Sequence, residues 1–339
     1  NSRISLSNND SGGTGGADST SGNTVLGYLA GQSIDSGSVN NTFIGHGVAD
    51  ASCDDATSNV GVGTNSLSTL TQGDNNVAVG LNSLLSLTTG DDNTAIGTQA
   101  GDSITTANKT VFIGTAAGAA VTVTGGSNVS DGTVGIGYSA LGALTSGEGN
   151  VAVGYQAGDA LTTGARNLAI GYNAFSTSIV SSGDNIAIGY NAMNGSGTSN
   201  ASASNIALGN YTMNGNQNDS DFNIAIGHQA LNGLTLGDRN TVVGSQSGLV
   251  LTSGGYNTIL GGGACKVSTD VDSTVIIGYG ACADGDVTAA ADGTVAIGYD
   301  ALKALTTGAG NVAIGYLAMV AAATSDYNTA VGHQSLTGV

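Results

Sequence analysis

The stretch NVAVGLNSLLSLTTGDDNTAIG, residues 76–97, holds one complete repeat and the start of the next. Its five-residue head is Asn or Thr, a mostly β-branched residue, a usually small residue, an aliphatic residue and Gly. That head recurs eighteen times, from NTVLG at 23–27 through NVAIG at 311–315 to NTAVG at 328–332. The repeat glycines are Gly27, Gly45, Gly63, Gly80, Gly97, Gly114, Gly137, Gly154, Gly171, Gly189, Gly209, Gly227, Gly244, Gly261, Gly278, Gly298, Gly315 and Gly332. They lie 17 or 18 residues apart, except for one interval of 23 and two of 20. A period this short is one coil of a solenoid, which is stable only when stacked on its neighbours. The expected fold is all-β, a parallel β-solenoid (β-roll or β-helix) of about eighteen coils over residues 23–339. It follows a Ser/Gly/Asn-rich segment at 1–22 without a full motif, in which Arg3–Leu6 reads as the last strand of a preceding unit.

Composition agrees. Gly makes up 57 of 339 residues without a triplet period, which excludes collagen. Pro is absent, as suits a ladder that uses nearly every backbone N–H. The net charge of −18 and only six Lys and Arg argue against a phosphate-reading surface and against an anionic membrane. No apolar run approaches the ~18–20 residues of a membrane helix, so neither nucleic-acid binding nor membrane insertion is expected. The chain begins with Asn and shows no signal peptide, which reads as a processed chain or a fragment.

We number the coil from the motif Asn as slot 1. Slots 2 and 4 are aliphatic or Thr and read as the inward face of a short strand. Slot 3 is then expected to face outward. It is Ala in ten coils and otherwise Val25, Phe43, Gly61, Phe112, Gly135, Val242, Ile259 or Ile276. A strand apolar on both faces is covered on both faces. Another copy of the chain over Ala152, Ala169 and Ala187 is the expected cover, with in-chain loops as the alternative. The slot-1 column is expected to form an Asn ladder. The slot-5 glycines are expected either to take positive φ or to admit a neighbouring backbone.

Slot 6 carries Tyr28, Tyr138, Tyr155, Tyr172, Tyr190, Tyr279, Tyr299 and Tyr316, together with His46, His228 and His333. The tyrosines from Tyr138 to Tyr190 and from Tyr279 to Tyr316 are expected to stack as rows, either packing an interface or gripping sugar rings. The histidines read as substitutes for Tyr; a metal-binding ring around a symmetry axis is the other reading. Slot 9 alternates between larger apolar residues and Gly. Many coils then close on LTQGD (70–74), LTTGD (87–91), LTSGE (144–148) or LTTGA (161–165), through a tight corner or a short helical turn. Cys265 and Cys282 share slot 9 of adjacent coils, within disulfide range at ~4.8 Å; they read as buried reduced thiols with a disulfide as the alternative, and Cys53 has no evident partner. Asp74, Asp91, Glu148, Asp184 and Asp238 form an expected acidic column. It has the ligand type for weak Ca²⁺ binding, but the calcium nonapeptide is absent and no cofactor is expected. No Ser-His-Asp set, P-loop or HExxH motif occurs, so no enzyme is expected, with a β-helix carbohydrate-active enzyme as the remote alternative. The long intervals at about 119–132, 194–204 and 283–293 are expected loops and candidates for specificity.

The repeats NTAIGTQAG at 93–101 and NVAIGYLAM at 311–319 resemble those of phage tail-fibre-type proteins. The resemblance covers about residues 23–339. In part they are also similar to the SVAIGxxA motif of trimeric autotransporter adhesin heads, which are parallel β-rolls with shorter coils. The resemblance implies a homotrimeric structural or adhesive fibre on a virion or cell surface, with a host glycan or receptor as a further partner. The alternative is a bacterial surface adhesin or an extracellular filament subunit.

Overall fold

The structure, a computed structural model, describes residues 22–35, 37–121, 131–176, 183–195 and 202–338. Arg3–Leu6 and the middle of two expected loops, 122–130 and 196–201, lie outside the described residues. The chain is all-β, and its one helical element among the described residues is a single 3₁₀ turn, Ala289–Ala291, in the third expected loop. Two compact units occur, Asn1–Arg166 and Asn167–Val339. Each is a stack of parallel solenoid coils. The first has eight motif strands, from Thr24–Leu26 to Val151–Val153, and a small side pair, Ser33–Ile34 with Ser52–Cys53. The second has ten motif strands, from Leu168–Ile170 to Thr329–Val331.

Strands pair slot to slot. Val77, Ala78 and Val79 face Thr94, Ala95 and Ile96. Ile186, Ala187 and Ile188 face Ile206, Ala207 and Leu208 across one of the 20-residue intervals, so the extra residues loop out without shifting register. The ladder continues around the coil. Asn65 N–H donates to the His46 carbonyl, Leu67 N–H to Ser83, Thr69 N–H to Leu85 and Asn75 N–H to Thr57. This hydrogen bonding on nearly all sides is the physical reason for a chain without Pro.

The direction of the strand corrects the sequence reading. Slot 3 points into the coil, and slots 2 and 4 point out. Phe43, Ala78, Phe112, Ala152, Ala187, Val242 and Ile276 are fully buried, and Ala169 is nearly so. Ile188 and Ile226 are half-exposed, and Ile96 and Leu208 are about 40 % exposed (40% and 41%). Ala152, Ala169 and Ala187 therefore line the interior of the coil and call for no second copy. The reason lies in slot 1. Its Asn side chains are buried in the coil, and a period of two puts slots 1 and 3 on one face.

The Asn ladder forms as expected. Asn76 Oδ1 accepts from the backbone N–H and the Nδ2 of Asn93, both at 3.0 Å, while Asn76 Nδ2 donates to Asn59 Oδ1 at 3.0 Å and to the Gly90 carbonyl at 2.8 Å. Thr110 enters the same ladder by donating its hydroxyl to Asn93 Oδ1 at 2.7 Å. Of the two roles expected for the repeat glycines, both apply. Gly97 has φ 136°, and a Cβ there would lie 2.5 Å from the Gly114 carbonyl oxygen of the next coil.

The far side of the coil is a tight corner. Leu70 N–H donates to the Leu67 carbonyl, three residues back, at 3.0 Å. Slots 7 and 9 are left-handed, as at Asn65 (φ 54°) and Leu67 (φ 53°). Slot 9 is also interior, which explains its mixture of residues. Its side chain shares space with slot 3 of its own coil and with neighbouring coils: Gly101 and Gly158 lie in coils whose slot 3 is Ala, and the space beside them is taken by Leu84 and Phe112 and by Leu141. Leu84, Phe175, Met193 and Leu302 sit in coils whose slot 3 is Ala, whereas Gly118 shares its coil with Phe112. A Cβ at Gly118 would run into that phenyl ring. The LT pairs complete the core: Leu70, Leu87, Leu144 and Leu161 are buried. Their threonines form another ladder, in which the Thr71 hydroxyl donates to the Thr88 carbonyl at 2.9 Å.

Candidate binding surfaces

With slots 2 and 4 facing out, each unit carries a flat aliphatic strip along its sheet. Slot 4 contributes Ile96 in the first unit and Ile170, Leu208, Val243 and Ile314 in the second, all between 37 % and 41 % exposed (40%, 37%, 41%, 37% and 37%). Slot 6 borders the strip. Its tyrosines are exposed and stack as expected. Ring centroids lie 5.1 Å apart for Tyr138 and Tyr155, 5.4 Å for Tyr172 and Tyr190, 5.7 Å for Tyr279 and Tyr299, and 5.4 Å for Tyr299 and Tyr316. The histidines join these columns: His333 stacks on Tyr316 at 5.1 Å, His46 tilts against Tyr28 at 5.4 Å, and His228 meets Tyr211 edge-on at 6.2 Å.

The acidic column takes a different role. Asp74 Oδ1 accepts from the Thr57 backbone N–H at 2.7 Å and Asp91 Oδ1 from the Asp74 N–H at 2.8 Å. Asp238 Oδ1 accepts from the Asp221 N–H at 2.7 Å. These slot-16 carboxylates hold the preceding coil's backbone in a ladder of their own. Asp184 falls later, in slot 18 of its 18-residue coil and directly before Asn185, with φ 60°. Glu148 instead meets the Arg166 guanidinium at 3.9 Å. Among the described residues, three carboxylates converge only at Asp35, Asp54 and Asp55, and none of these belongs to the expected column.

The cysteines lie in the core as free thiols. Burial pushes Cys53 up to about 12 and Cys265 up to about 11, and it also raises Cys282, helped by the neighbouring Cys265. Such thiols are poor nucleophiles.

Two features are not legible in the repeat pattern. Arg239, in slot 17, lies between Phe222 and Tyr256, its guanidinium carbon 5.2 Å and 5.4 Å from the two ring centroids. In the second unit the aromatic column is interrupted at Ser245 and Gly262, and it resumes at Tyr279. Beside that break is a cavity of about 330 Å³ lined by Gln246, Gly262, Gly263, Lys266, Tyr279, Asp284, Asp300 and Lys303, among others. Lys303 Nζ donates to Asp300 Oδ2 at 3.1 Å and lies 3.6 Å from Asp284. The Asp300 hydrogen bond, then its charge, raises the Lys303 pKa. Asp284 belongs to the third expected loop, so that loop does reach a cavity.

No protein-family profile matches the chain, and no curated protein is significantly similar to it. No helix among the described residues is long and apolar enough to cross a membrane.

Proposed function

We propose that this chain is a structural and adhesive fibre subunit, the shaft of a phage tail fibre or a similar virion appendage, that self-associates and presents its sides to a host surface. The observation that carries this reading is the outward aliphatic strip of slots 2 and 4. A face of stacked Ile, Val and Leu is an interaction surface, because monomers rarely leave large contiguous apolar patches open. Ten strands at ~4.8 Å, each three residues wide at ~3.3 Å, make a strip of ~480 Å² in the second unit. The stacked Tyr172 and Tyr190 widen it towards the ~800 Å² per partner of a standard interface and leave the Tyr279 end of the column open. A second copy of the chain is the natural cover, since two flat repeating strips match in pitch. The resemblance to trimeric fibres makes a parallel homotrimer the leading arrangement. A bacterial surface adhesin or extracellular filament subunit built on the same shaft is the second reading. Catalysis is the weaker reading, because the Ser, His and Asp residues are spread through columns rather than gathered at one centre.

The test is the size of the purified full chain in solution by sedimentation or mass photometry. The expected result is a discrete oligomer that dissociates when Ile188 and Ile226 are both replaced by Lys, with circular dichroism unchanged. A monomeric wild-type chain at micromolar concentration overturns the self-association. Immunogold labelling that places the oligomer on virion fibres or on a cell surface then separates the two biological settings.

A further inference from the structure

We infer that the cavity beside Tyr279 is a saccharide site that takes an uncharged pyranose ring. Its chemistry stands on the cavity alone, and its role in host attachment rests on the fibre reading above. Slot 6 is the aromatic column, and each ring in it is normally covered by the neighbouring coil's slot-6 side chain. At Gly262 that side chain is missing. A Cβ at Gly262 would lie 3.4 Å from Tyr279 Cδ2 and 3.6 Å from Cε2, so the absent group is the one that would cover this ring. Tyr279 is accordingly 65 % exposed, against 45 % and 46 % for Tyr299 and Tyr316 further along the same column. An open aromatic face at the edge of a cavity of about 330 Å³ suits the flat C–H face of a sugar ring.

The polar rim supplies the rest. Two of the six basic residues in the whole chain, Lys266 and Lys303, line this one cavity. Lys303 is held by Asp300 and Asp284, which orients a donor and two carboxylates around the opening. Lys266 has no ion pair among the described residues and keeps its donors for a ligand. Two ammonium groups and two carboxylates cancel, so the rim offers donors and acceptors without net charge. Hydroxyl groups both donate and accept, and they match such a rim. A carboxylated sugar would in addition be repelled by the −18 charge of the chain.

The experiment is saturation-transfer NMR on the full chain with methyl glucoside, methyl galactoside, methyl mannoside, methyl N-acetylglucosaminide and glucuronate as probes. The expected result is binding of at least one uncharged methyl pyranoside, with a dissociation constant on the order of 1–10 mM. Tyr279→Ala is expected to weaken it by about tenfold or more. Gly262→Tyr restores the aromatic column that most coils have, so it plugs the site while suiting the fold, and it is expected to remove binding. Lys109→Ala, in the other unit, is expected to leave binding unchanged. Binding that both Tyr279→Ala and Gly262→Tyr leave intact overturns the assignment. So does binding of glucuronate alone, or no binding of any probe at about 50 mM. Because oligomer size is read separately, absence of any sugar signal from an intact wild-type oligomer rejects the site and not the fibre. Sugar binding by a monomer rejects the fibre and not the site.

Discussion

At the residue scale, two positions carry the coil and fail differently when changed, and a third works against it. Gly97→Ala would force a methyl into the Gly114 carbonyl at a φ that L-residues avoid. We expect a loss of about 2–4 kcal/mol in chemical denaturation. Asn76→Leu would leave the Asn93 N–H and Nδ2 and the Gly90 carbonyl without their partner. A loss of about 3 kcal/mol is expected, and a smaller one for Asn76→Thr, since Thr110 and Thr274 already serve in the ladder. Asp159 is the opposite case. Burial raises its pKa, Gln156 satisfies only Oδ2, and Oδ1 has no partner. The folded protein thus holds the proton more tightly than the unfolded chain does. Stability therefore falls as pH rises from the unfolded value of about 3.8 through the raised folded one. Asp159→Asn is expected to raise the melting temperature at pH 7 and to have no effect near pH 3. An equal effect at both pH values would show that the charge is not the cause.

At the scale of the element, the unit of packing is the coil pair of slots 3 and 9. The two slots divide one volume, so Phe112 goes with Gly118, and Ala78 goes with Leu84. Phe112→Ala alone should cost about 3–5 kcal/mol by leaving a cavity. Gly118→Leu alone should also destabilise, by driving its side chain into the phenyl ring. The double variant recreates the arrangement of the Ala78 coil. It is expected to recover about 1–3 kcal/mol relative to the sum of the single changes in a double-mutant cycle. Strict additivity would show that the two slots do not share space. The Asn, Thr and Asp ladders connect such coils, and each coil depends mainly on its two neighbours.

For the whole molecule, charge and the apolar strip act against each other. Copies that each carry −18 repel, while the aliphatic contact between them is not weakened by salt. Raising NaCl from about 0.05 M to 0.5 M, which shortens the Debye length from roughly 14 Å to 4 Å, is therefore expected to tighten self-association in sedimentation. Dissociation by salt would mean that ion pairs, rather than slots 2 and 4, hold the copies together.

The amino-acid sequence by itself determined the coil length, the strand positions, the parallel stacking, the Asn ladder and the need for Gly at slot 5. All of these follow from a period and from residue types repeated at one slot. It did not determine which strand face lies inside. Alternation with a period of two has no inherent sign, and here Ala at slot 3 and Ile at slot 4 are both apolar. Tertiary structure decided that question by closing a narrow coil around the small slot-3 side chains and the buried Asn of slot 1. It also decided why slot 9 accepts either Leu or Gly, since that depends on a left-handed backbone and on the volume left by slot 3 of the same coil and by the side chains of neighbouring coils. The carboxylates that cap the preceding coil, and the uncovered face of Tyr279, are contacts between coils. They become visible only when residues 17 to 20 apart are laid one on another.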